Sequence, residues 1–366
     1  MIGLGHIHRR ALVAILIALV FIYYRVSTRA AINPPGVFPK PQYTPGASKS
    51  VDYEHTRTLV IARTSSEDVS WIEEELGSSS SLQTAIYTVD SPIPPFTVPK
   101  NKGREVMPYL TYIITHYHNL SDVTIFMHAS PVAWHNNDLL DDSSPMMLRA
   151  LSSHKVVRDG YFNLRCHQSP GCSDQVHHLG AEFGLENPKL AAFATAWSEL
   201  LPARPMPKVL RQPCCSQFAV SRERIQALLL EQYEFFRDWV LATELTDALS
   251  GRVWEYLWQY IWTGQPELCP EVHICYCDGF RLCFGGEEQY KEYISLGREK
   301  GNLERVIEDD KRIGNQEAQK LVQAPKRIVE LNAKMTKVKE EAFERGRDPK
   351  KRAAEVGRPW KEGDGY

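Results

Sequence analysis

Three clusters of side chains in this 366-residue chain have the types and spacing that chemistry requires. The loop Lys100-Asn101-Lys102-Gly103-Arg104-Glu105 runs into a helical pattern. Cations beside the free N–H groups and positive dipole end of a helix favour a phosphate or diphosphate. A solvated basic loop whose Glu105 complements the dipole has the same composition. His135-Asn136-Asn137-Asp138, with Asp141 and Asp142 just beyond, gathers hard oxygen ligands. Mg²⁺ or Mn²⁺ bridging a nucleotide diphosphate needs one or two such carboxylates. The region holds no Asp-x-Asp, and polar residues after a strand equally serve turns and caps. Glu244, Asp247, Gly251 and Glu255 recur at intervals of three and four, which places them on one face of a continuous helix. Glu255 stands among Trp254, Trp258 and Trp262, where burial raises a carboxyl toward the range of a general base. The alternative is a tryptophan core with Glu255 paired to Arg252.

The elements that must position these groups follow from periodicity. Thr58 to Ala62 is a short buried strand, and the Ser-x-x-Asp pattern Ser65 to Asp68 resembles a capping box opening a helix that carries Trp71 and Ile72. Leu82 to Val89 is a second strand. A helix is expected from about Arg104 to His118, and a third strand over 122–127. Ser144-Pro145 reads as an N-cap followed by proline at the first helical position. Alternating strands and helices imply right-handed crossovers and a mostly parallel sheet. Ligands of such sheets bind outside the carboxyl ends of the strands. Those ends deliver Arg63, Thr64 and Asp68; Asp90 and the Lys100–Glu105 loop; and His128 with the 131–142 segment. All the polar clusters of the first half therefore fall on one edge.

The second half is more helical. A long apolar-periodic stretch starts at Ser221 and ends at Thr263-Gly264, with Ser250-Gly251 as the expected break. The expected domains are a signal anchor over 1–29, a Pro/Gly/Ser-rich stem over 30–56, a luminal domain over 57–286, and a charged helical extension over 287–366 with a disordered end. Ala11 to Tyr24 carries no charge and follows Arg9-Arg10; at roughly 1.5 Å per residue it covers roughly 21 Å, short for a span but suited to a thin early-secretory bilayer. Cleavage after a signal peptide near Ala30-Ala31, giving a secreted protein, is the alternative. The eight cysteines, Cys166, Cys172, Cys214, Cys215, Cys269, Cys275, Cys277 and Cys283, are an even set without metal-type spacing and read as disulfides in an oxidising lumen. Asn119-Leu120-Ser121 is an N-glycosylation sequon. A net charge of −2 supplies no broad positive field, which argues against nucleic acid as a partner.

Several strings, among them TVPKNKGRE, AWHNND, PCCSQFAVSRERI, TELTDALSGRVWEYLW and CYCDGF, resemble a fungal family known only as a domain of unknown function and described as glycosyltransferase-like. The resemblance runs from about Val60 to Cys283. It implies a glycosyltransferase-A-like (Rossmann-like) α/β domain that takes a nucleotide-sugar donor, with Mn²⁺ or Mg²⁺ as cofactor, and an unknown hydroxyl acceptor. Arg63, Asp68, Asp90, Lys102, Arg104, Glu105, His128, Trp134, His135, Asn136, Asp138, Arg222 and Glu255 match positions typical of the family. The family pattern carries His-Arg where this chain has Ser130-Pro131, and Trp-His-Asn-Asp-Asp where it has Trp-His-Asn-Asn-Asp. The expected function is sugar transfer in the endoplasmic reticulum or Golgi lumen by a single-pass membrane protein. Arg63, Asp68, Asp90, Lys102 and Arg104 would meet the donor, His135, Asp138 and Asp142 the metal, and Glu255 or Asp247 would act as base. The rival readings are a non-catalytic glycan-binding protein and a tailoring enzyme for small metabolites.

Overall fold

The expected apolar runs form strands β1 (Arg57–Arg63), β2 (Leu82–Thr88) and β3 (Val123–His128). Their side chains alternate between two buried layers, as the pleat requires. Val60 and Phe126 face one layer, and Leu59, Ile61, Ile125 and Met127 face the other. A sheet covered on both faces explains why these segments read as unbroken hydrophobic runs. The computed structural model describes residues 36–38, 41–91, 96–172, 188–313 and 318–365. The proposed anchor lies outside the described residues; among those described, no helix is long and apolar enough to cross a membrane.

The strand order is β2-β1-β3-β5-β4, with β4 at Tyr161–Asn163 and β5 at Phe218–Ser221. β1 pairs parallel with β2 and β3, whereas β5 runs antiparallel to both β3 and β4. The sheet is therefore mixed and not mostly parallel. β4 and β5 are too short, at three and four residues, to show a period, and nothing in an apolar tetrapeptide encodes direction.

One layer holds α1 (Ser70–Leu76), α3 (Ser144–Ala150) and α4 (Ser153–Asp159); the other holds α2 (Val106–His116), α5 (Pro188–Leu200), α7 (Leu230–Ala242) and α8 (Asp247–Thr263). The short α6 (Arg222–Gln226) follows β5, and its N-cap Ser221 accepts the Arg224 N–H. Trp254, Trp258 and Trp262 are all buried on α8, and Trp258 and Trp262 stack at 6.1 Å. Local signals shift where better caps exist. No side chain caps α1; Asp68 instead accepts the N–H and hydroxyl of Ser70. Ser143, not Ser144, caps α3. The long helical stretch breaks at 243–246, because Thr246 accepts the Leu249 N–H and starts α8, so Glu244 is not on the face that carries Asp247 and Glu255.

All eight cysteines stand in four disulfide pairs: Cys166–Cys275, Cys172–Cys269, Cys214–Cys215 and Cys277–Cys283. The first two tie the segment after β4 to the chain beyond α8.

The charged extension forms α9 (Glu287–Ile313), α10 (Ala318–Arg347) and α11 (Pro349–Glu355). Leu331 and Ala342 of α10 are buried, with Met335 and Val338 beside them against the α1/α3/α4 layer. The Cys283 N–H donates to the Ala342 carbonyl at 3.1 Å, and buried Arg352 donates to the carbonyls of Gly346 and Gly365. The Gly365 N–H in turn donates to Lys49 O, which joins the last described residues to the stem.

A Cβ at Gly346 would sit 1.9 Å from the Arg281 carbonyl oxygen, which is backbone and cannot step aside. Alanine in a helix is intrinsically favoured over glycine by up to about 1 kcal/mol, so the sign of Gly346→Ala reports the docking of the extension. Urea unfolding is expected to show a loss of about 1–3 kcal/mol; a gain would mean that α10 does not rest on the domain.

Candidate functional site

From β1 the chain crosses to β2 on one side and then returns to β3 on the other, so a topological switch point lies between β1 and β3. The crevice outside their carboxyl ends is a cavity of about 470 Å³. Arg63 enters from the end of β1, Asn101, Arg104 and Glu105 from the loop before α2, His128 and His135 from the end of β3 and its following turn, and Asp247 from the start of α8. The expected convergence of strand-end groups on one crevice thus holds for Arg63, Thr64, Arg104, Glu105, His128 and His135, and Asp247 joins them from the helical half.

Neither cation forms an ion pair among the described residues, although the charge of Arg63 reaches Asp68 and Asp90 and that of Arg104 reaches Glu105 and Glu255. Arg63 donates only to the Thr88 hydroxyl, at 3.2 Å, and the Arg104 guanidinium has no ion pair among the described residues. Gly103 and Arg104 both adopt positive φ, and the Arg104 N–H donates to the Asp247 carboxylate at 3.1 Å. That bond orients a strained turn, and glycine relieves the first of its two left-handed positions. Burial raises the Glu105 carboxyl above its ordinary range, and Asp247 adds to the shift.

His128 Nδ1 and His135 Nε2 lie 2.9 Å apart. One proton joins them, so the neutral pair turns one N–H and one lone pair outward whichever tautomer it adopts. Burial pulls both rings down to about 4, and the neighbouring His128 depresses His135 further. Both are therefore neutral at pH 7. Their position depends on buried amides. The His128 N–H donates to the Gln217 side-chain oxygen, and Gln217 donates to Asn136, which in turn donates to Asp142 O and the Ser144 hydroxyl. Asn137 donates to Leu164 O and accepts the Cys166 N–H, both at 2.8 Å.

Thr64 and Ser130 also line the crevice, whereas Asp68, Asp90, Lys102, Asp138, Asp142 and Glu255 lie outside it. Asp90 accepts the N–H and hydroxyl of Ser65, which hold its carboxyl below the usual range. Asp68 is occupied by Ser70 as described. The Lys102 ammonium donates to Thr243 O, fastening its loop to the α7–α8 junction. Burial pushes Asp138 up, but His167 and the Tyr276 hydroxyl outweigh it and hold the carboxyl low. Burial raises Asp142, and the charge of Asp138 adds to it. Burial also raises Glu255, against the opposing Arg252 at 2.7 Å and the Cys215 N–H at 3.1 Å. Glu255 thereby fastens the Cys214–Cys215 turn. Asn119 is exposed in the turn before β3.

The divalent ion expected from the resemblance does not fit the residues expected to hold it. Asp138 is spent on His167 and Tyr276, and Asp138, Asp142 and His135 do not bring ligand atoms together among the described residues. Two groups of three do converge, Cys214/Cys215/Glu255 and Cys277/Cys283/Glu355, but their sulfurs are in disulfides. Sequence reasoning missed Glu67, which lines the crevice and accepts the N–H and hydroxyl of Thr64, and missed Gln217 altogether. Nothing local marks Gln217; its partners come from β3 and the 131–144 turn.

Residues 59–278 match the model of the family described as Protein of unknown function (DUF3431), and the chain belongs to that family. No curated protein and no solved structure matches it.

Two outcomes follow from this geometry. Because the folded histidines titrate near 4 and the unfolded ones near 6.5, the unfolded chain binds more protons between those values. Stability is therefore full above pH 6.5 and falls as pH drops toward 4. His135→Gln is expected to flatten that dependence in urea unfolding series at pH 4, 5, 6 and 7, and an unchanged slope would contradict the assignment. Asn137→Ala leaves Leu164 O and Cys166 N–H buried without partners, and is expected to cost about 1–3 kcal/mol at pH 7 in the same measurement.

Proposed function

We propose that the crevice is the donor site of a glycosyltransferase-like protein that transfers a sugar from a nucleotide donor to a hydroxyl acceptor. The observation that carries this reading is the pair of guanidinium groups, Arg63 and Arg104, standing outside any ion pair among the described residues at the switch point of the sheet. A diphosphate there meets two forked donors in the geometry that phosphate oxygens favour. Glu105, made more basic by burial, takes the acceptor proton, and Asp247 holds the Arg104 turn in register. A doubly covered sheet with its crevice at the strand ends suits a glycosyltransferase-A-like domain, and disulfide-paired cysteines suit an oxidising lumen, with residues 11–24 as anchor or cleaved signal.

A second reading is favoured by Trp134, which is 69 % exposed beside the crevice, packed edge-on to His135. An exposed indole is a stacking surface for a sugar ring, so a non-catalytic glycan-binding protein would use the same face.

Thermal unfolding of the purified protein with UDP, GDP, ADP and CDP, with and without Mn²⁺, tests the proposal. At least one nucleotide is expected to raise the melting temperature saturably, and Arg63→Ala or Arg104→Ala to weaken that response about tenfold or more. No response to any of them would overturn it. Release of sugar from a sugar-nucleotide panel would exclude the second reading.

A further inference from the structure

A second cavity, of about 380 Å³, lies at the far edge of the sheet, beside β4. Its volume is in the range of small-molecule sites. The antiparallel register pairs Phe162 with Ala219, while the Ser221 N–H donates to Gly160 O and the Leu164 N–H to Gln217 O. Residues 160, 162 and 164 therefore bond toward β5, and the backbone N–H and C=O of Tyr161 and Asn163 face the other way. β4 is the last strand of the sheet, and both residues line the cavity. Phe162, Leu268, Pro270 and Ile274 supply apolar wall.

The decisive group is Arg165, which lines this cavity and is only 5 % exposed. Its Nη1 donates to Trp134 O at 3.3 Å and its Nη2 to Ser169 O at 2.9 Å. Those carbonyls carry no charge to set against the guanidinium, and Nε is buried without a partner. No carboxylate lies within ion-pair distance of Arg165 among the described residues. Burial depresses its pKa, opposed by Tyr276, Asp142 and Asp138, the two acids standing beyond ion-pair distance, and the guanidinium lies 5.2 Å from the centre of the Trp134 ring. Arg224, also lining the cavity, stacks on Tyr43 with its own Nε buried and unpartnered. The two acids in the wall do not repel an anion, because Asp159 is paired with Lys155 and Arg158, and Asp278 with Arg158.

We propose that this cavity binds a small amphipathic carboxylate, with the carboxylate on Arg165 beside the outward backbone groups of β4 and the apolar body against Leu268, Pro270 and Ile274. A buried cation with no carboxylate at ion-pair distance supplies the charge selectivity, and an edge strand supplies directional donors without a side-chain cost. The site is separate from the crevice and does not rest on the reading of that crevice as a donor site.

Isothermal titration of the purified protein with hexanoate, and with hexan-1-ol as the uncharged probe of equal length, tests it. Saturable one-site binding of hexanoate is expected, with hexan-1-ol weaker by about tenfold or more. Arg165→Gln should bring hexanoate down to the level of the alcohol. Leu268→Trp, which puts an indole into the cavity and leaves Arg165 in place, should abolish both. Arg63→Ala, in the crevice, should leave hexanoate binding unchanged. Equal binding of acid and alcohol, equal binding by wild type and Arg165→Gln, or no saturable binding of hexanoate would each overturn the proposal.

Discussion

A buried amide must find a partner for every donor and acceptor it brings out of water, and the end of β3 is organised by that requirement. Asn136, Asn137 and Gln217 are each at most 1 % exposed. Gln217 joins the His128 N–H to Asn136, Asn136 bonds to the 131–144 turn, and Asn137 bonds to the backbone beyond β4, where the Leu164 N–H returns to Gln217 O. Through them β3, β5 and β4 share one network. One side of it carries His128 and His135 into the crevice. The other side fixes Leu164 and Cys166, and therefore Arg165 between them. Both cavities thus depend on one set of satisfied amides, which are costly to disturb because the low local dielectric penalises each orphaned group.

The two layers over the sheet do different work. The aromatic layer, where Tyr109, Phe126, Phe218 and Trp258 pack within 4.7–6.2 Å, is a rigid floor beneath α2 and α8. Both helices start at the crevice, so the Gly103-Arg104 turn and Asp247 inherit their rigidity. The opposite layer is completed by the charged extension, whose Arg358 approaches Asp278 at 3.6 Å, in the acid that also pairs with Arg158. Asp278 lines the second cavity, so the C-terminal segment helps to set its charge balance.

The central strands, the tryptophan stripe of α8 and the oxidised state of the cysteines express signals that local chemistry writes into a sequence. So does the gathering of Arg63, Arg104, His128 and His135, because the ends of neighbouring parallel strands share an edge; the arrival of Asp247 from α8 was not legible. What was not legible is what competes for each polar group. Lys102 and Arg104 are two residues apart in one basic loop, yet the first is absorbed by Thr243 O and only the second is left for the crevice. Asp138 and Glu255 look like ligand and base until Tyr276 and the Cys215 N–H claim them.

Sequence alone determined that the segments of β1, β2 and β3 are buried, and where cations and carboxylates meet their ends. The tertiary structure decided the direction of β5, the pairing of the cysteines, the spent carboxylates and the burial of Arg165 beyond ion-pair reach of any described carboxylate. The physical reason is that hydrophobic periodicity reports only how much of each face leaves water. Hydrogen bonds and ion pairs depend on which atoms, often a hundred residues away, occupy the remaining space within about 3 Å.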